Sequence, residues 1–138
     1  MNPVSNMLRP VNPEGAVIPG ISSAVVVENG KLMFLSGHVP VNKEGAVSSA
    51  DLETQLDQVF KNLNDTLREA GATPRDLVRI TIYVRNFHTG QLPVIRRSRD
   101  RFINQEQPPA SALIGVATLF HPDVLVEVDG IAVLSPDA

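Results

Sequence analysis

The chain of 138 residues contains no cysteine, no tryptophan and a single tyrosine. Without cysteine there is no disulfide framework, no thiolate zinc site and no cysteine nucleophile, and the absence fits a reducing compartment. No apolar run approaches the roughly 20 residues that span a bilayer. The N-terminal stretch also lacks the apolar segment of a signal peptide. We therefore expect a cytoplasmic protein without membrane chemistry.

Charge and aromatic content also limit the possible partners. The formal net charge is -3, and only five phenylalanines accompany the single tyrosine. Proteins that bind nucleic acid usually carry a basic stripe and exposed aromatic side chains, so a nucleic-acid partner is disfavoured. The three histidines, His38, His88 and His121, lack the spacing of metal ligands. We expect no metal site.

The length fits one domain over residues 1–138, with an irregular, proline-containing N-terminal arm over residues 1–20. Asn29-Gly30 separates two β-prone runs, 24–27 and 32–35, and predicts a hairpin with a type I′ turn. Helical spacing of apolar residues predicts helices over 52–70 and 91–104. Alternation predicts a strand over 77–85, and two further strands are expected over 110–116 and 124–134.

The predicted order ββ-α-β-α-ββ indicates an α+β fold, with one sheet of five or six strands and two helices on one face. The final predicted strand carries apolar residues on both of its faces. A sheet that is apolar on both sides and covered on one usually packs against another subunit. The pattern therefore predicts a homo-oligomer.

Three features are candidates for chemistry, and each has a structural alternative. Glu127 lies on a mostly apolar strand face, where a carboxylate can exchange a proton near neutral pH or form an ion pair with a neighbouring subunit. Ser36-Gly37 offers a hydroxyl and a close backbone approach to a ligand, or simply a tight strand exit. Arg96 belongs to a basic cluster that is either a solvated helix face or a fork for a ligand carboxylate.

Several spaced motifs resemble those of the Rid family, also called YjgF or reactive-intermediate deaminases. The similarity covers residues 16–134 and rests on Leu35-Ser36-Gly37-His38-Val39-Pro40, Gly71-Ala72-Thr73, Pro108-Pro109-Ala110-Ser111 and the run from Leu125 to Val133. The resemblance implies a chorismate-mutase-like fold and a homotrimer whose sheets form an inner barrel. It also implies intersubunit ligand clefts, cofactor-independent and metal-independent chemistry, and hydrolysis of reactive enamines and imines to keto acids and ammonia.

The resemblance also assigns site residues. Ser36, Gly37 and Glu127 match family pocket positions, with Glu127 positioning water or moving a proton. Ser111 stands where the deaminases have an arginine that binds the substrate carboxylate. The other departures are Ser23 for a tyrosine, Leu113 for a cysteine and Arg96 for a residue that is often asparagine.

Loss of the arginine removes a charge-assisted hydrogen bond worth about 1.5–3 kcal/mol. Three functions follow as alternatives. The first is a deaminase of altered substrate preference, in which Arg96 or Ser111 faces the acid group of a small carboxylate-bearing metabolite. The second is a non-catalytic metabolite binder or regulator that uses the same cleft. The third, an endoribonuclease-like protein, is disfavoured by the acidic charge balance.

Overall fold

The computed structural model describes residues 7–15 and 18–138. The strands are β1 (Leu8–Val11), β2 (Ala24–Val27), β3 (Lys31–His38), β4 (Leu77–Arg85), β5 (Ala110–Val116) and β6 (Val126–Leu134), and the helices are α1 (Leu52–Glu69) and α2 (Leu92–Phe102). The predicted α+β class and element order are confirmed, with one strand more than expected at the N-terminus.

That additional strand is β1, which pairs antiparallel with β2 from Leu8 opposite Val27 to Val11 opposite Ala24. The segment expected to be an irregular arm therefore contains a regular element. Pro10 lies within it, and a two-stranded ribbon tolerates proline because each strand is an edge. Residues 1–6 and 16–17 of the expected arm lie outside the described residues.

The predicted hairpin between β2 and β3 is wrong. Within the described residues, β2 pairs with β1, whereas β3 pairs with β6. A type I′ turn needs positive φ at both central residues. Gly30 has φ 113, but the only described non-glycine residue with positive φ is Asn86. The Asn29-Gly30 segment is thus a corner at which the chain passes from the ribbon to the main sheet.

The main sheet has four strands in the order β3-β6-β4-β5. This corrects the expected single sheet of five or six strands, because β1 and β2 form a ribbon of their own. β6 is antiparallel to both of its neighbours, while β4 and β5 are parallel. Parallel pairing needs a crossover connection, which α2 provides between β4 and β5.

One face of this sheet is covered by helix. Asp51 caps α1, since its carboxylate accepts a hydrogen bond from the Thr54 N–H at 3.0 Å. The buried face of α1 joins the inward face of β6 in one apolar core, which includes Leu56, Val59, Phe60, Leu63, Leu67, Val126, Val128 and Ala132. Phe60 of α1 stacks on Phe102 of α2 with ring centroids 4.7 Å apart. No helix in the described part of the chain is long and apolar enough to cross a membrane.

The other face of the sheet is the open face, and it carries large apolar side chains. Leu32 and Phe34 of β3 are 54% and 74% exposed. Their register partners on β6 are Val133 and Ile131. The expected apolar second face is therefore present on the strand that forms one edge of the sheet.

Candidate functional site

The most irregular point of the main sheet is the middle of β3. Leu35 is paired with Gly130 and His38 with Val128, so that Ser36 and Gly37 together oppose a single residue, Asp129. An extra residue in one strand makes a β-bulge, which bends the strand and redirects its side chains. We call residues 36 and 37 the β3 bulge.

Glu127 lies directly against this bulge. Its carboxylate occupies the space that a Cβ atom at position 37 would fill. The φ of Gly37 is outside the left-handed region, so glycine is required here for space and not for backbone conformation. The Glu127 carboxylate is half-buried and makes no side-chain hydrogen bond or ion pair within residues 7–15 and 18–138. It is thus available to a ligand.

Tyr83 of β4 is the register partner of Glu127. Its hydroxyl donates a hydrogen bond to Asp129 Oδ2 at 3.1 Å. Burial, then the hydrogen bond and negative charge of Asp129, raise the pKa of Tyr83, and the charge of Glu127 adds to the effect. The Asp129 carboxylate therefore accepts a hydrogen bond from the Tyr83 hydroxyl, whereas the Glu127 carboxylate does not. Sequence reasoning placed Tyr83 on this sheet face by alternation but did not identify it as part of the site.

His38 was another residue that sequence reasoning did not include. It follows the β3 bulge, and its ring lies between the bulge and α1. Nδ1 is 2.7 Å from the Ser36 carbonyl oxygen, and Nε2 is 2.8 Å from Thr66 Oγ1. The ring thereby connects the backbone of the bulge to the helix layer. Only the folded chain brings Thr66 to this position.

The other predicted site residues lie elsewhere in the chain. Ser111 and Leu113 of edge strand β5 are paired with Ile80 and Ile82, whose side chains are buried beneath the helices. Leu113 packs against the same core. These two residues therefore share the helix-covered face of the sheet, opposite the face that carries Glu127.

Ser23 lies beside the start of β5, because Ser22 forms a parallel bridge with Ala110. The Ser23 N–H donates to Asn12 Oδ1 at 2.8 Å, and its side chain is exposed. Arg96 is exposed on α2 and makes no ion pair within the described residues. In a single chain the predicted site residues thus form two groups, one at the β3 side of the sheet and one around β5 and α2.

Arg96 belongs to a cluster with Arg97, Arg99 and Arg101, and these other three arginines have structural roles. Arg97 and Arg101 of α2 bind Glu53 of α1 at 2.8 and 3.0 Å, and Arg101 also binds Asp57 at 2.7 Å. Hydrogen bonds from Arg97 and Arg101 lower the pKa of Glu53 to about 2. Arg99 is buried and donates to the Pro19 carbonyl at 3.0 Å. These three arginines hold elements together, which leaves Arg96 as the cluster member without such a role.

The described residues contain no group of three histidine, aspartate or glutamate side chains suited to a metal ion.

Residues 18–134 match the family model described as Endoribonuclease L-PSP. The chain belongs to the Rid/YjgF family. The matched segment contains every predicted site residue, from Ser23 to Glu127.

Three known proteins illustrate what this chain is similar to. A crystal structure from Yersinia pestis, YyfB of the conserved Rid protein family and of unknown function, is 36% identical. Its TM-score is 0.87, and the alignment covers 93% of this chain and 99% of that one. A 2-iminobutanoate/2-iminopropanoate deaminase from Dermatophagoides farinae is 29% identical over 97% of this chain and 99% of its own. The putative regulator AldR of Lactococcus lactis is 31% identical, over 85% of this chain and 88% of its own.

Proposed function

We propose that this Rid-family protein hydrolyses reactive enamines and imines that carry a carboxylate. In the overall reaction an imino acid and water give a keto acid and ammonia. The observation that carries the proposal is the Glu127 carboxylate, which lies against the β3 bulge on the open face without a hydrogen-bonding partner among the described residues. The name of the Dermatophagoides farinae relative, a 2-iminobutanoate/2-iminopropanoate deaminase, supports the same chemistry.

Glu127 acts as general base and then as general acid. It takes a proton from a water molecule as the water oxygen attacks the imine carbon, and it gives this proton to the nitrogen as the C=N π electrons move there. The resulting carbinolamine has one hydroxyl and one amine on the same carbon. Glu127 then takes the hydroxyl proton and passes it to the amine nitrogen, so that the C–N bond breaks and ammonia leaves as the C=O bond forms. An enamine substrate first becomes an imine by gaining a proton at its terminal carbon and losing one from nitrogen.

The β3 bulge supplies the polar contacts that hold the substrate. The Ser36 side chain and the Gly37 backbone are both exposed, and a glycine lets a ligand approach the main chain closely. Tyr83 binds Asp129 at 3.1 Å. Of the two carboxylates on this face, Asp129 is therefore engaged by a hydrogen bond, and Glu127 is the one that can exchange protons with water.

A second copy of the chain completes the site. One group of predicted residues lies beside β3 and the other around β5 and α2, and β3 and β5 are the two edges of the main sheet. A homotrimer that brings the β5 side of one subunit to the β3 side of the next unites the two groups in a cleft. The exposed Phe34 and Leu32 then line the inner barrel, where burial of apolar area stabilises the assembly.

The substrate preference differs from that of deaminases with a carboxylate-binding arginine. Ser111 offers a hydroxyl without a positive charge, whereas the exposed Arg96, which makes no ion pair with any residue that the structure describes, is available to supply the cation across the cleft. A guanidinium can bind a carboxylate through two parallel hydrogen bonds. We expect imino acids with larger side chains to be accepted, because Ser111 leaves more room than arginine.

The test is a coupled assay of ammonia release from 2-aminoacrylate and from bulkier imino acids generated in situ. Wild type is compared with Glu127→Gln, which keeps the shape of the side chain, and with Ser111→Arg and Arg96→Gln. We expect acceleration by wild type, loss in Glu127→Gln, weaker substrate binding in Arg96→Gln and a shift toward small substrates in Ser111→Arg. Equal rates in wild type and Glu127→Gln would refute the assignment.

A second candidate is a metabolite-binding regulator that uses the same cleft without turnover. Two observations favour it. Position 111 holds serine and not arginine, and the relative AldR is named a putative regulator. A ligand that binds the native state raises its apparent stability. Thermal stabilisation by keto acids, together with no ammonia release from any imino acid, would support this candidate over the enzyme.

A further inference from the structure

The His38 ring is fixed in one tautomer by its partners. The Ser36 carbonyl can only accept a hydrogen bond, so the ring nitrogen that lies 2.7 Å from it, Nδ1, carries the proton. In the neutral ring Nε2 is then bare. The Thr66 hydroxyl, whose oxygen is 2.8 Å from Nε2 and 3.2 Å from the Asn62 carbonyl oxygen, shares its one proton between these two acceptors. Both ring nitrogens are therefore used, one for the bulge and one for α1.

The same turn of α1 holds the chain just beyond the bulge. The Asn62 side-chain amide donates to the carbonyls of Val39 and Val41, each at 2.9 Å. Asn62 and Thr66 are four residues apart and so lie on one face of the helix. The segment from Ser36 to Val41 is thus anchored to α1 by side chains at successive points, with His38 as the anchor of the bulge itself.

This anchoring has a consequence for the open face. In a trans peptide the carbonyl and the following N–H point in opposite directions. The Ser36 carbonyl is drawn toward a ring that reaches α1, on the helix-covered face. The Gly37 N–H of the same peptide therefore points away from the His38 ring, and the Glu127 carboxylate lies against the same residue.

We propose that His38 is a positioning residue for the site, which sets the Ser36–Gly37 peptide so that the Gly37 N–H and the Glu127 carboxylate face the same ligand. Its effect on catalysis rests on the proposed deaminase function, but its effect on the peptide does not.

The test compares two substitutions of His38. His38→Asn keeps an N–H donor near the position of Nδ1 and loses the contact with Thr66, whereas His38→Leu loses both. Thr66→Val and Thr66→Ser test the contact between His38 and Thr66, because valine removes the hydroxyl and serine keeps it. His121→Asn, in the turn before β6, controls for loss of a histidine elsewhere. The full-length protein is used throughout.

Three measurements apply to each variant. Nitrogen-15 NMR of the imidazole reports the wild-type tautomer, the amide proton and nitrogen chemical shifts of Gly37 report the orientation of the Ser36–Gly37 peptide, and the coupled assay with 2-iminopropanoate gives kcat and KM. We expect the Nδ1–H tautomer, a larger change of the Gly37 amide shifts in His38→Leu than in His38→Asn, and a kcat about tenfold lower in His38→Leu with KM nearly unchanged. The kcat of His38→Asn and of Thr66→Ser should stay within about threefold of the wild-type value. This should hold even if His38→Asn lowers Tm as much as His38→Leu does.

The possible failures are distinguishable. A wild-type Nε2–H tautomer, or unchanged Gly37 amide chemical shifts in His38→Leu, would overturn the positioning role whatever the activity. Equal losses of kcat in His38→Asn and His38→Leu, in proportion to Tm, would reduce His38 to a structural residue. A wild type that releases no ammonia would refute the deaminase proposal, while the tautomer and the Gly37 chemical shifts would still decide the role of His38.

Discussion

The carboxylate of Glu127 lies in the space that a side chain at position 37 would need, so Gly37 and Glu127 are sterically coupled across two neighbouring strands. Glycine at this point lets a carboxylate pack against the backbone of β3. The coupling brings the β3 bulge and the outward face of β6 together in the proposed site. It also predicts what a single methyl group at position 37 would do.

Gly37→Ala should displace the Glu127 carboxylate while leaving the backbone unstrained, because Gly37 is not among the glycines with positive φ. We expect kcat/KM to fall on the order of 10²-fold, since a misplacement of about 1 Å can cost that much. The control is the double variant with Glu127→Gln, in which the added methyl group should cause little further loss. Independent, additive losses would contradict the coupling.

Tyr83→Phe removes the hydroxyl that donates to Asp129. We expect the free energy of unfolding to fall by about 0.5–1.5 kcal/mol near neutral pH, as measured by urea denaturation. Because the folded-state pKa of Tyr83 is raised above its ordinary value of 10.0, its contribution is fully present below that pH and is lost as pH rises through the folded pKa. Wild type should therefore lose more stability than Tyr83→Phe above pH 10, and parallel curves would refute this linkage.

Glu53→Gln removes the carboxylate that joins Arg97 and Arg101 to α1. The folded-state pKa of Glu53 is lowered from 4.5 to about 2. Its contribution to stability is therefore present above pH 4.5 and is lost as pH falls toward 2. Urea denaturation should show the variant less stable at neutral pH, with the gap closing over that interval and shrinking in high salt. A gap independent of pH would indicate lost packing instead.

Phe34→Asp places a charge on the open face, where Phe34 is 74% exposed in the single chain. If this face is buried between subunits, the charge should dissociate the assembly, and sedimentation velocity should show monomers. Arg68→Gln changes the net charge by the same amount on an exposed position of α1 and should leave the assembly intact. An unchanged oligomer in Phe34→Asp would exclude Phe34 from the interface.

Much of the architecture could be predicted because local signals agreed with the fold. The alternation in β4 and the helical spacing of apolar residues in α1 place those elements correctly. The Asn29-Gly30 hairpin failed for the opposite reason. A turn signal shows that the chain bends but not which strand it will pair with, and long-range pairing of β3 with β6 prevailed.

The candidate site shows the same difference between local signals in the sequence and long-range contacts in the fold. The family motifs, the candidate Glu127 and the β3 residues beside it could be identified from residue type and spacing alone. Three contacts became visible only in the folded chain: Gly37 makes room for Glu127, Tyr83 binds Asp129, and His38 joins the bulge to Thr66. These contacts join residues distant in the chain, and their geometry depends on strand register and helix packing, which no local pattern encodes.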